Sequence, residues 1–541
     1  MDTIVFRMIC FLFLLPLTTV GLVAGEVNTL KWINCGDEKE PTLECSTLLV
    51  PMDYANPSSK LIQIALNRKP APIQPAKLSL LFNPGGPGGS GLDLVKGFNS
   101  SYYNNVVDYI GFDPRGVGKS QSVACAETPA DWQTYLRDSS LFGVDYVPQA
   151  ATPEQIAVYA AYSELTSQSC LKHSGELIYH ITTPYVCRDM DEIRKALGMK
   201  KMNYMGFSYG TVLGNTYANM FPDNVGRMIL DGVANPFEYY GSVFNFLNGL
   251  VDTEVTVEEF ANACDQVTSA ECPLSKEGSE FGFTALQTIY SVIENLKTKP
   301  LLVHQTSVPA VVTSEMASKV LFMNIYKVPK YLEIATAFYQ ASKGNGYPMS
   351  TLHDRTFNMT EVKESRAIGD SFAAIICSDT DISSTKYSVA EWFEQVKYHE
   401  NTVSRLASRQ WGWQLLVCRT WPRSPKTEHY KGPWNKKFNF PIMIVGNTYD
   451  PVTPFKSARN LYEMMNEGHA KDSNAVLVHH NGHGHCSTTQ ESTCTRQYQI
   501  DYVLHGILPP PNAVCEPDSS LFTKPKVQRL SFNNFKSTSF L

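Results

Sequence analysis

Hydrophobic and polar residues follow two different periodicities along this chain. Eight short runs rich in β-branched and other apolar residues have the length of strands, and the pattern changes to helical spacing at residues 153–171. A second helix is indicated at residues 186–197, with Thr183 as its cap and Pro184 in its first turn. Strands that alternate with helices predict a mostly parallel sheet. The eight runs lie at residues 47–50, 61–66, 78–82, 106–112, 202–205, 227–232, 440–445 and 474–478.

A stretch of about 200 residues without the strand periodicity separates the last two runs from the first six. The simplest interpretation is one α/β domain, formed by residues 26–235 and 438–541, that is interrupted by a helical insertion at residues 236–437. We expect most aromatic residues of the insertion to lie in a core and a minority to line a pocket. These aromatic residues are Phe237, Tyr239, Tyr240, Phe244, Phe246, Trp411, Trp413 and Trp421.

The first 25 residues have the layout of a secretory signal peptide. Arg7 precedes an apolar run at residues 9–15, and small residues at positions 23–25 precede a polar segment. Pro16 ends the apolar run, which is shorter than the roughly 20 residues that a membrane span needs. No later segment is long and apolar enough to cross a membrane, and the last residues are polar. The sequence therefore predicts a secreted or lumenal protein without a membrane partner.

The cysteine count agrees with export. Of 13 cysteines, Cys10 lies in the predicted signal, and the remaining even number can pair completely in an oxidising compartment. Asn99 and Asn358 begin acceptor sequences for N-linked glycans. Spacing does not determine connectivity, but neighbouring cysteines suggest local pairs and leave Cys187 and Cys515 over. The expected pairs are Cys35/Cys45, Cys125/Cys170, Cys264/Cys272, Cys377/Cys418 and Cys486/Cys494.

Composition and charge exclude several classes of protein. With 43% hydrophobic and 18% charged residues, the 541-residue chain is neither disordered nor a coiled coil. Its formal net charge is −6, and no run of lysine and arginine forms a basic patch. We therefore expect no nucleic-acid partner.

The sequence Gly-Phe-Ser-Tyr-Gly at residues 206–210 stands between a predicted strand and a predicted helix. In a nucleophile elbow the chain turns so tightly at this junction that small residues are needed on either side of the serine. The N-terminus of the following helix adds partial positive charge where an oxyanion would form. Ser208 is therefore the predicted nucleophile, whereas the alternative is a glycine-rich turn with an inert serine.

A serine nucleophile of this type needs an acid and a base, which follow it in the order Asp, His. Asp450 stands just after the strand at residues 440–445 and is the predicted acid, with Asp231 as the second candidate and a turn-capping role as its simpler explanation. His485 is the preferred base, and His483 is the second choice. Because four histidines lie within residues 479–485, a metal site is the competing hypothesis.

A second glycine-rich loop, at residues 83–91, follows the strand at residues 78–82. Its backbone N–H groups could bind a tetrahedral oxyanion, so that Gly86 and the amide of Tyr209 would form the oxyanion hole. The same loop also fits the dinucleotide pattern G-x-G-x-x-G, with Asp108 and Asp113 about 20 residues further on. Pro87 within the loop, export, and the independent Ser, Asp, His order argue against that alternative.

The segment that follows, residues 113–120, invites comparison with a phosphate-binding loop. The pattern G-x-x-x-x-G-K-S requires glycine at position 113, where this chain has Asp113. We therefore interpret the segment as a turn at a strand end that supports the neighbouring glycine loop.

Taken together, the motifs G-G-P-G-G, D-x-R-G-x-G-x-S, G-x-S-Y-G, G-x-x-x-D-P-V-T-P and a late G-H-C are specific. The chain resembles the α/β-hydrolase peptidases of the prolyl iminopeptidase type, most closely the secreted tripeptidyl aminopeptidase-like branch. The resemblance implies an α/β-hydrolase fold whose insertion is a cap that admits only a free peptide N-terminus. We expect a monomer that uses no cofactor and no metal. The implied site residues are Ser208, Asp450 and His485 as triad, with Gly86 and Tyr209 as oxyanion donors.

Selection of free N-termini requires an acceptor for the substrate ammonium. A buried carboxylate in the cap would serve, and Asp379 is the candidate, with a helix-capping role as its alternative. Three other functions remain open on this fold. A secreted carboxylesterase would share the triad, and a serine carboxypeptidase usually has an acidic residue where this chain has Phe207. A catalytically silent binding module is the third.

Overall fold

A ten-stranded sheet forms the centre of the residues that the structure, a computed structural model, describes: 30–141, 151–306, 309–357, 369–425, 427–469 and 473–522. The strand order is β1-β2-β3-β5-β4-β6-β7-β10-β11-β12. All pairs from β5 to β12 are parallel, and β1, β2 and β3 extend the sheet in antiparallel fashion. This architecture confirms the predicted mostly parallel sheet. The predicted signal peptide and the sequon at Asn358 lie outside the described residues.

Each of the eight predicted runs overlaps a strand of this sheet. The strands that the sequence did not indicate have only two or three residues, too few for a periodicity to show. Two of these, β8 and β9, form a separate antiparallel pair within the insertion. The strands are β1 Ile33–Asn34, β2 Glu44–Pro51, β3 Leu61–Lys69, β4 Leu78–Asn83, β5 Val107–Phe112, β6 Met202–Phe207, β7 Val225–Asp231, β8 Leu301–Val303, β9 Ala310–Val312, β10 Ile442–Tyr449, β11 Ala475–His483 and β12 Ala513–Cys515.

Helices connect these strands and make up most of the insertion. The first predicted helix is α3, which opens with a capping box between Thr152 and Gln155. The second is α4, but Thr183 is not its cap, because Thr182 holds that position and the Thr183 hydroxyl bonds to another part of the chain. The helices are α1 Gly91–Gly97, α2 Pro129–Leu141, α3 Pro153–Ser174, α4 Thr183–Ala196, α5 Tyr209–Met220, α6 Pro236–Tyr240, α7 Val243–Phe246, α8 Thr253–Asp265, α9 Ala285–Leu296, α10 Ser314–Ile325, α11 Tyr331–Ser342, α12 Tyr347–Phe357, α13 Ser371–Asp379, α14 Val389–Thr402, α15 Ala407–Gln414, α16 Phe455–Asn466 and α17 Thr493–His505.

Both faces of the sheet are buried. Side chains of successive strand residues point to opposite faces, so Leu81 and Ile110 pack in one core while their neighbours Leu80 and Tyr109 pack in the other. Full burial of each such side chain stabilises the fold by about 1.5–3 kcal/mol. The central strands are therefore fixed from both sides, which gives the loops at their carboxyl ends a rigid support.

The insertion packs as two parts. Residues between Val257 and Leu352 form a hydrophobic core of their own, together with Leu406. The parts that flank this core in sequence, which contain Phe244, Trp392 and Trp411, join the core that covers one face of the main sheet. The aromatic residues of the second part therefore lie close to the main sheet.

Disulfides link both the sheet and the insertion. The four predicted pairs Cys35–Cys45, Cys125–Cys170, Cys264–Cys272 and Cys377–Cys418 are confirmed.

The predicted pair Cys486/Cys494 is wrong. Cys494 in α17 bonds to Cys515 at the end of β12, so Cys486 is a free buried thiol, as is Cys187. The Cys486 sulfur is buried and lies 3.5 Å from the backbone oxygen of Asp231. Five disulfides in the described chain are typical of a protein folded in an oxidising compartment. Nowhere in the described part of the chain is a helix both long and apolar enough for a membrane span.

Candidate active site

Ser208 stands between the last residue of β6 and the first residue of α5, as the motif predicts. Its φ of 56° and ψ of −125° are rarely adopted by a residue with a side chain and cost about 1–3 kcal/mol. The turn is tight enough that a Cβ on Gly206 would lie 2.3 Å from the oxygen of Gly210. This geometry lifts the Ser208 side chain out of the core, so Ser208 is only partly buried while its neighbours on both sides are buried.

Asp450 and His485 form the hydrogen-bonded pair that the sequence predicts. The Nδ1 atom of His485 lies 3.0 Å from each carboxylate oxygen of Asp450, which is completely buried. The carboxylate also accepts bonds from the N–H groups of Thr453 and Cys486 and from the Thr453 hydroxyl. Burial alone would raise the pKa of Asp450, but the charge of His485 and these bonds hold it below its ordinary value. Asp450 is therefore held as an anion that orients the imidazole.

The structure separates His485 from the other histidines of its tract. His483 stacks on Tyr449 at 4.4 Å between ring centroids, and its Nδ1 faces the side chain of Gln490. His479 bonds to the hydroxyl of Thr448, and His480 to that of Thr495. These three side chains therefore point to different partners. Within the described chain, the atoms that could gather on a metal ion belong to Asp450, His485 and Cys486.

Asp231, the second candidate acid, has a structural role behind this pair. It ends β7, is completely buried, and accepts bonds from the N–H and the hydroxyl of Ser487 at 2.9 and 2.5 Å. Burial raises the pKa of Asp231 to about 6. The carboxyl group thus fixes the loop just after His485 and does not contact the imidazole through a hydrogen bond.

The glycine loop lies directly against the elbow. A Cβ on Gly85, whose φ is +94°, would fall 2.3 Å from the oxygen of Phe207 and 2.9 Å from the nitrogen of Tyr209. Gly86 lines the same cleft as Ser208 and Tyr209. Glycine is therefore required where the two loops meet, which keeps the amides of Gly86 and Tyr209 near the Ser208 side chain.

The acidic residues of the competing dinucleotide hypothesis are already occupied. Asp113 accepts bonds from the Ser90 hydroxyl and the Lys119 N–H, at 2.6 and 2.8 Å. Asp108 accepts the N–H of Ala71 at 2.8 Å. Asp113 therefore joins the turn at residues 113–120 to the glycine loop, which is the supporting role that the sequence suggested for that turn.

Aromatic residues of the insertion extend from His485 to Tyr209, the residue after Ser208. Tyr326 packs edge-on against His485 with ring centroids 5.3 Å apart, and Tyr239 packs against Tyr209 at 5.5 Å. Consecutive centroids between these ends are 5.2 to 6.1 Å apart. We call this chain the aromatic arch; its members are Tyr326, Phe322, Trp411, Phe246 and Tyr239. Three of them, Trp411, Phe246 and Tyr239, line the cleft that contains Ser208.

Asp379 does not line this cleft. The residue is only 3% exposed, and its carboxylate accepts bonds from the N–H and hydroxyl of Thr183 and from the hydroxyl of Tyr239. The Thr183 hydroxyl lies in turn 2.6 Å from that of Tyr209. Asp379 therefore supports Tyr209 from within the core, through Thr183, and its position does not fit the expected contact with a substrate amine.

Glu238 lies in the cleft, although the sequence pattern did not predict it. It lies in the five-residue helix α6, is partly buried, and lines the cleft with Ser208. Burial raises the pKa of its carboxyl, an effect that the charge of Lys456 opposes. Among the described residues, the carboxylate has neither a hydrogen-bond partner nor an ion-pair partner. The available signal in the sequence was an acidic residue within the aromatic-rich insertion. Glu238 and Asp379 both fit this description, so the signal could not show which of them lies in the cleft.

The buried carboxyls also make stability depend on pH. Burial raises the pKa of Asp379 to about 7, from an ordinary value near 3.8. The folded state therefore holds this proton more tightly than the unfolded state, so its stabilising effect is complete below about pH 4 and is lost as pH rises to about 7. We expect Asp379→Asn to reduce that loss by up to about 4 kcal/mol, taking 1.36 kcal/mol per pKa unit.

Thermal unfolding of both proteins between pH 4 and 8 measures this difference. The melting temperature of the variant should fall less with rising pH than that of the wild type. Equal slopes for the two proteins would show that the Asp379 carboxyl titrates normally.

Two segments of the chain match models of known protein families, and each contains part of the site. A family model described as alpha/beta hydrolase fold matches residues 79–260, which contain Ser208, and one described as TAP-like protein matches residues 404–515, which contain Asp450 and His485. The resemblance predicted from the motifs is thus confirmed, and the chain has the α/β-hydrolase fold.

Similar proteins include two peptidases and a carboxylesterase. The chain is 40% identical to Tripeptidyl aminopeptidase of Streptomyces lividans over 218 residues, which are 38% of each protein. It is 27% identical to Serine protease Hip1 of Mycobacterium tuberculosis over 482 residues, 87% of each. Carboxylesterase B of the same species is 27% identical over 485 residues, 88% of this chain and 87% of that protein. The match to the Streptomyces proteins thus spans well under half of their length.

Proposed function

We propose that this α/β-hydrolase is a serine peptidase that releases residues or short peptides from free N-termini. The observation that carries the proposal is the His485–Asp450 pair at 3.0 Å, beside a cleft that contains a strained, accessible Ser208. The similarity to a tripeptidyl aminopeptidase and a serine protease supports a peptide substrate. Neither the triad geometry nor the fold alone would distinguish peptides from esters.

In the proposed mechanism, the Ser208 hydroxyl attacks the carbonyl carbon of the scissile peptide bond. His485 takes the hydroxyl proton and returns it to the leaving amine, while Asp450 orients the imidazole and stabilises its charged form. The amides of Gly86 and Tyr209 donate to the oxyanion, and the positive end of the α5 dipole adds to their effect. Water then attacks the carbonyl carbon of the acyl-enzyme while His485 takes a proton from the water. His485 returns this proton to the Ser208 oxygen as the bond between Ser208 and the acyl group breaks.

Glu238 is the residue that we propose for recognition of the substrate ammonium. It is a carboxylate without a partner inside a partly buried cleft, so a cation that enters the cleft satisfies it. Asp379 already accepts three hydrogen bonds and would gain less. A substrate with a blocked N-terminus would leave Glu238 unpaired, which lowers its affinity.

The variant Glu238→Gln should lose activity on free peptides selectively. A charge-assisted hydrogen bond contributes about 1.5–3 kcal/mol, so we expect kcat/KM for a free peptide to fall roughly 10- to 100-fold. The rate on the same peptide with an acetylated N-terminus should hardly change. Measurement of both rates by mass spectrometry tests the assignment, with Asp379→Asn as the matched carboxylate variant. If Asp379→Asn loses the preference and Glu238→Gln keeps it, the ammonium binds near Asp379 instead.

The first experiment on the wild-type protein uses the same pair of peptides. Cleavage of only the free peptide supports an aminopeptidase, and the fragment masses show how many residues leave in each step. Equal cleavage of both peptides would overturn recognition of the free N-terminus. We propose that the enzyme acts after export from the cell, as the five described disulfides and the predicted signal peptide suggest.

A carboxylesterase is the second candidate function. It is favoured by the similarity to Carboxylesterase B and by the apolar side chains of Phe246 and Val452 in the cleft. The unpaired carboxylate of Glu238 in the same cleft argues against a purely apolar acyl group. Hydrolysis of a neutral acyl ester at a higher kcat/KM than any free peptide would favour the esterase.

A further inference from the structure

We propose that the indole N–H of Trp411 binds a backbone carbonyl of the substrate, upstream of the bond that is cut. This inference rests on the proposed peptidase function and names a second specificity-determining residue for it. Trp411 is the middle member of the aromatic arch and lines the cleft with Ser208 and Glu238. It would act on binding of the acyl part of the substrate, not on the chemical step at Ser208.

The first observation is an unpaired donor. Trp411 is 8% exposed, and its Nε1 atom is buried without a hydrogen-bond partner among the described residues. Two other tryptophans of the insertion pair theirs: Trp392 Nε1 donates to the Gly412 oxygen at 2.8 Å, and Trp421 Nε1 to the Ser378 hydroxyl at 2.9 Å. Because a buried N–H without an acceptor is destabilising, an unpaired one beside a substrate cleft indicates an acceptor on the ligand.

The second observation is that the ring is held in place. Phe246 stacks on Trp411 with centroids 5.2 Å apart and planes 13° apart, and Phe322 packs edge-on at 5.8 Å. Phe372 contacts the ring from α13 at 5.8 Å. A donor held by packing on several sides loses little side-chain entropy when a ligand binds, which makes it effective for recognition.

The chemistry of the cleft indicates which acceptor fits. A ligand carboxylate would be repelled by Glu238, whereas a neutral carbonyl would not. The carbonyl of the scissile bond is assigned to the amides of Gly86 and Tyr209. The acceptor for Trp411 is therefore a further carbonyl on the acyl side, which requires a substrate with at least two residues before the cut. Trp411 thus favours peptidyl substrates over single amino-acyl substrates.

The variant Trp411→Phe tests this assignment, because it keeps a ring in the aromatic arch and removes the donor. Its kcat/KM would be measured on a tripeptidyl coumarylamide and on the amino-acyl coumarylamide that shares its last residue. We expect a loss of about 5- to 20-fold on the tripeptidyl substrate, mostly through KM, and less than about twofold on the amino-acyl one. Trp421→Phe is the matched control, since it removes a donor whose partner lies inside the protein, and it should leave the ratio of the two rates unchanged.

Equal losses on both substrates in Trp411→Phe, or no loss on either, would overturn the assignment. Failure of the proposed function looks different, since the wild-type enzyme would then cleave neither coumarylamide.

A test with the wild-type enzyme covers the case in which the variant does not fold. In tripeptidyl substrates, replacing one upstream amide by an alkene isostere removes that carbonyl together with its N–H, and the comparison with Trp411→Phe separates the two losses. One position should show a loss of about 5- to 20-fold, and this loss should be absent for the same pair of substrates in Trp411→Phe where that variant can be purified. Equal turnover of the parent and all isosteres would overturn the proposal.

Discussion

Replacement of Ser208 by alanine is expected to lower kcat by roughly 10⁴- to 10⁶-fold, the range that loss of a serine nucleophile produces in enzymes of this type. The loss should be in turnover and not in folding. Alanine can occupy the same strained turn, and the main-chain bonds of the elbow, from Ser208 N to the Asp231 oxygen and from Thr211 N to the Ser208 oxygen, do not involve the side chain. Turnover of a free peptide, together with the melting temperature, measures both parts of this prediction.

The cleft provides a matched serine for this experiment. Ser457 lines the same cleft, but it lies within helix α16 and not in a strand-to-helix turn like that of Ser208. Ser457→Ala should therefore keep most of the activity. A fluorophosphonate should add one label to the wild type and to Ser457→Ala, and none to Ser208→Ala. Labelling of Ser208→Ala at another serine, or activity close to that of the wild type, would remove Ser208 from the proposed mechanism.

The parts of the site that lie at strand ends could be predicted from the sequence. Ser208 directly follows β6, and Asp450 directly follows β10, so the pattern of apolar runs already placed both at the carboxyl edge of a parallel sheet. His485 follows β11, the neighbour of β10 in the sheet. In each case a local signal, the end of a buried strand, determines where the side chain lies.

In the insertion, no strand end indicates where a side chain lies. The donors to Asp379 come from Thr183 and Tyr239, which are 196 and 140 positions away in the sequence, so nothing near Asp379 indicates that its carboxylate is already satisfied. Glu238 reaches the cleft from a five-residue helix, too short for a periodicity that would show its direction. The surroundings of acidic residues in the insertion therefore depend on tertiary contacts that the local sequence pattern does not show.

The disulfide error has a similar origin. Cys486 and Cys494 are eight positions apart, which made a local loop the natural expectation. In the fold, Cys494 instead bonds to Cys515, 21 positions away, and Cys486 packs against the core side of its loop. Its N–H donates to Asp450, so Cys486 helps to hold the carboxylate that pairs with His485. Sequence proximity is thus a weak guide where a loop passes through a catalytic site.

Replacement of Asp450 by asparagine should have the second-largest effect, a loss of roughly 10⁴-fold in kcat. The carboxylate of Asp450 accepts the His485 Nδ1–H together with bonds from Thr453 and Cys486. An asparagine has one acceptor oxygen, and an amide NH₂ directed at His485 would turn Nδ1 into an acceptor. The ring proton would then be on Nε2, which could no longer take the proton of the Ser208 hydroxyl.

Asp231→Asn provides the comparison, because Asp231 is an equally buried carboxyl at the end of the neighbouring strand β7. Its partner is Ser487 and not the imidazole, and its pKa is raised by burial to about 6, so an amide replaces it at modest cost. We expect less than a tenfold loss in kcat for Asp231→Asn, measured at pH 7 with folding checked by thermal unfolding. A larger loss for Asp231→Asn than for Asp450→Asn would assign the role of acid to Asp231. The distinction rests on the bond to Nδ1 of His485, which Asp450 makes and Asp231 does not.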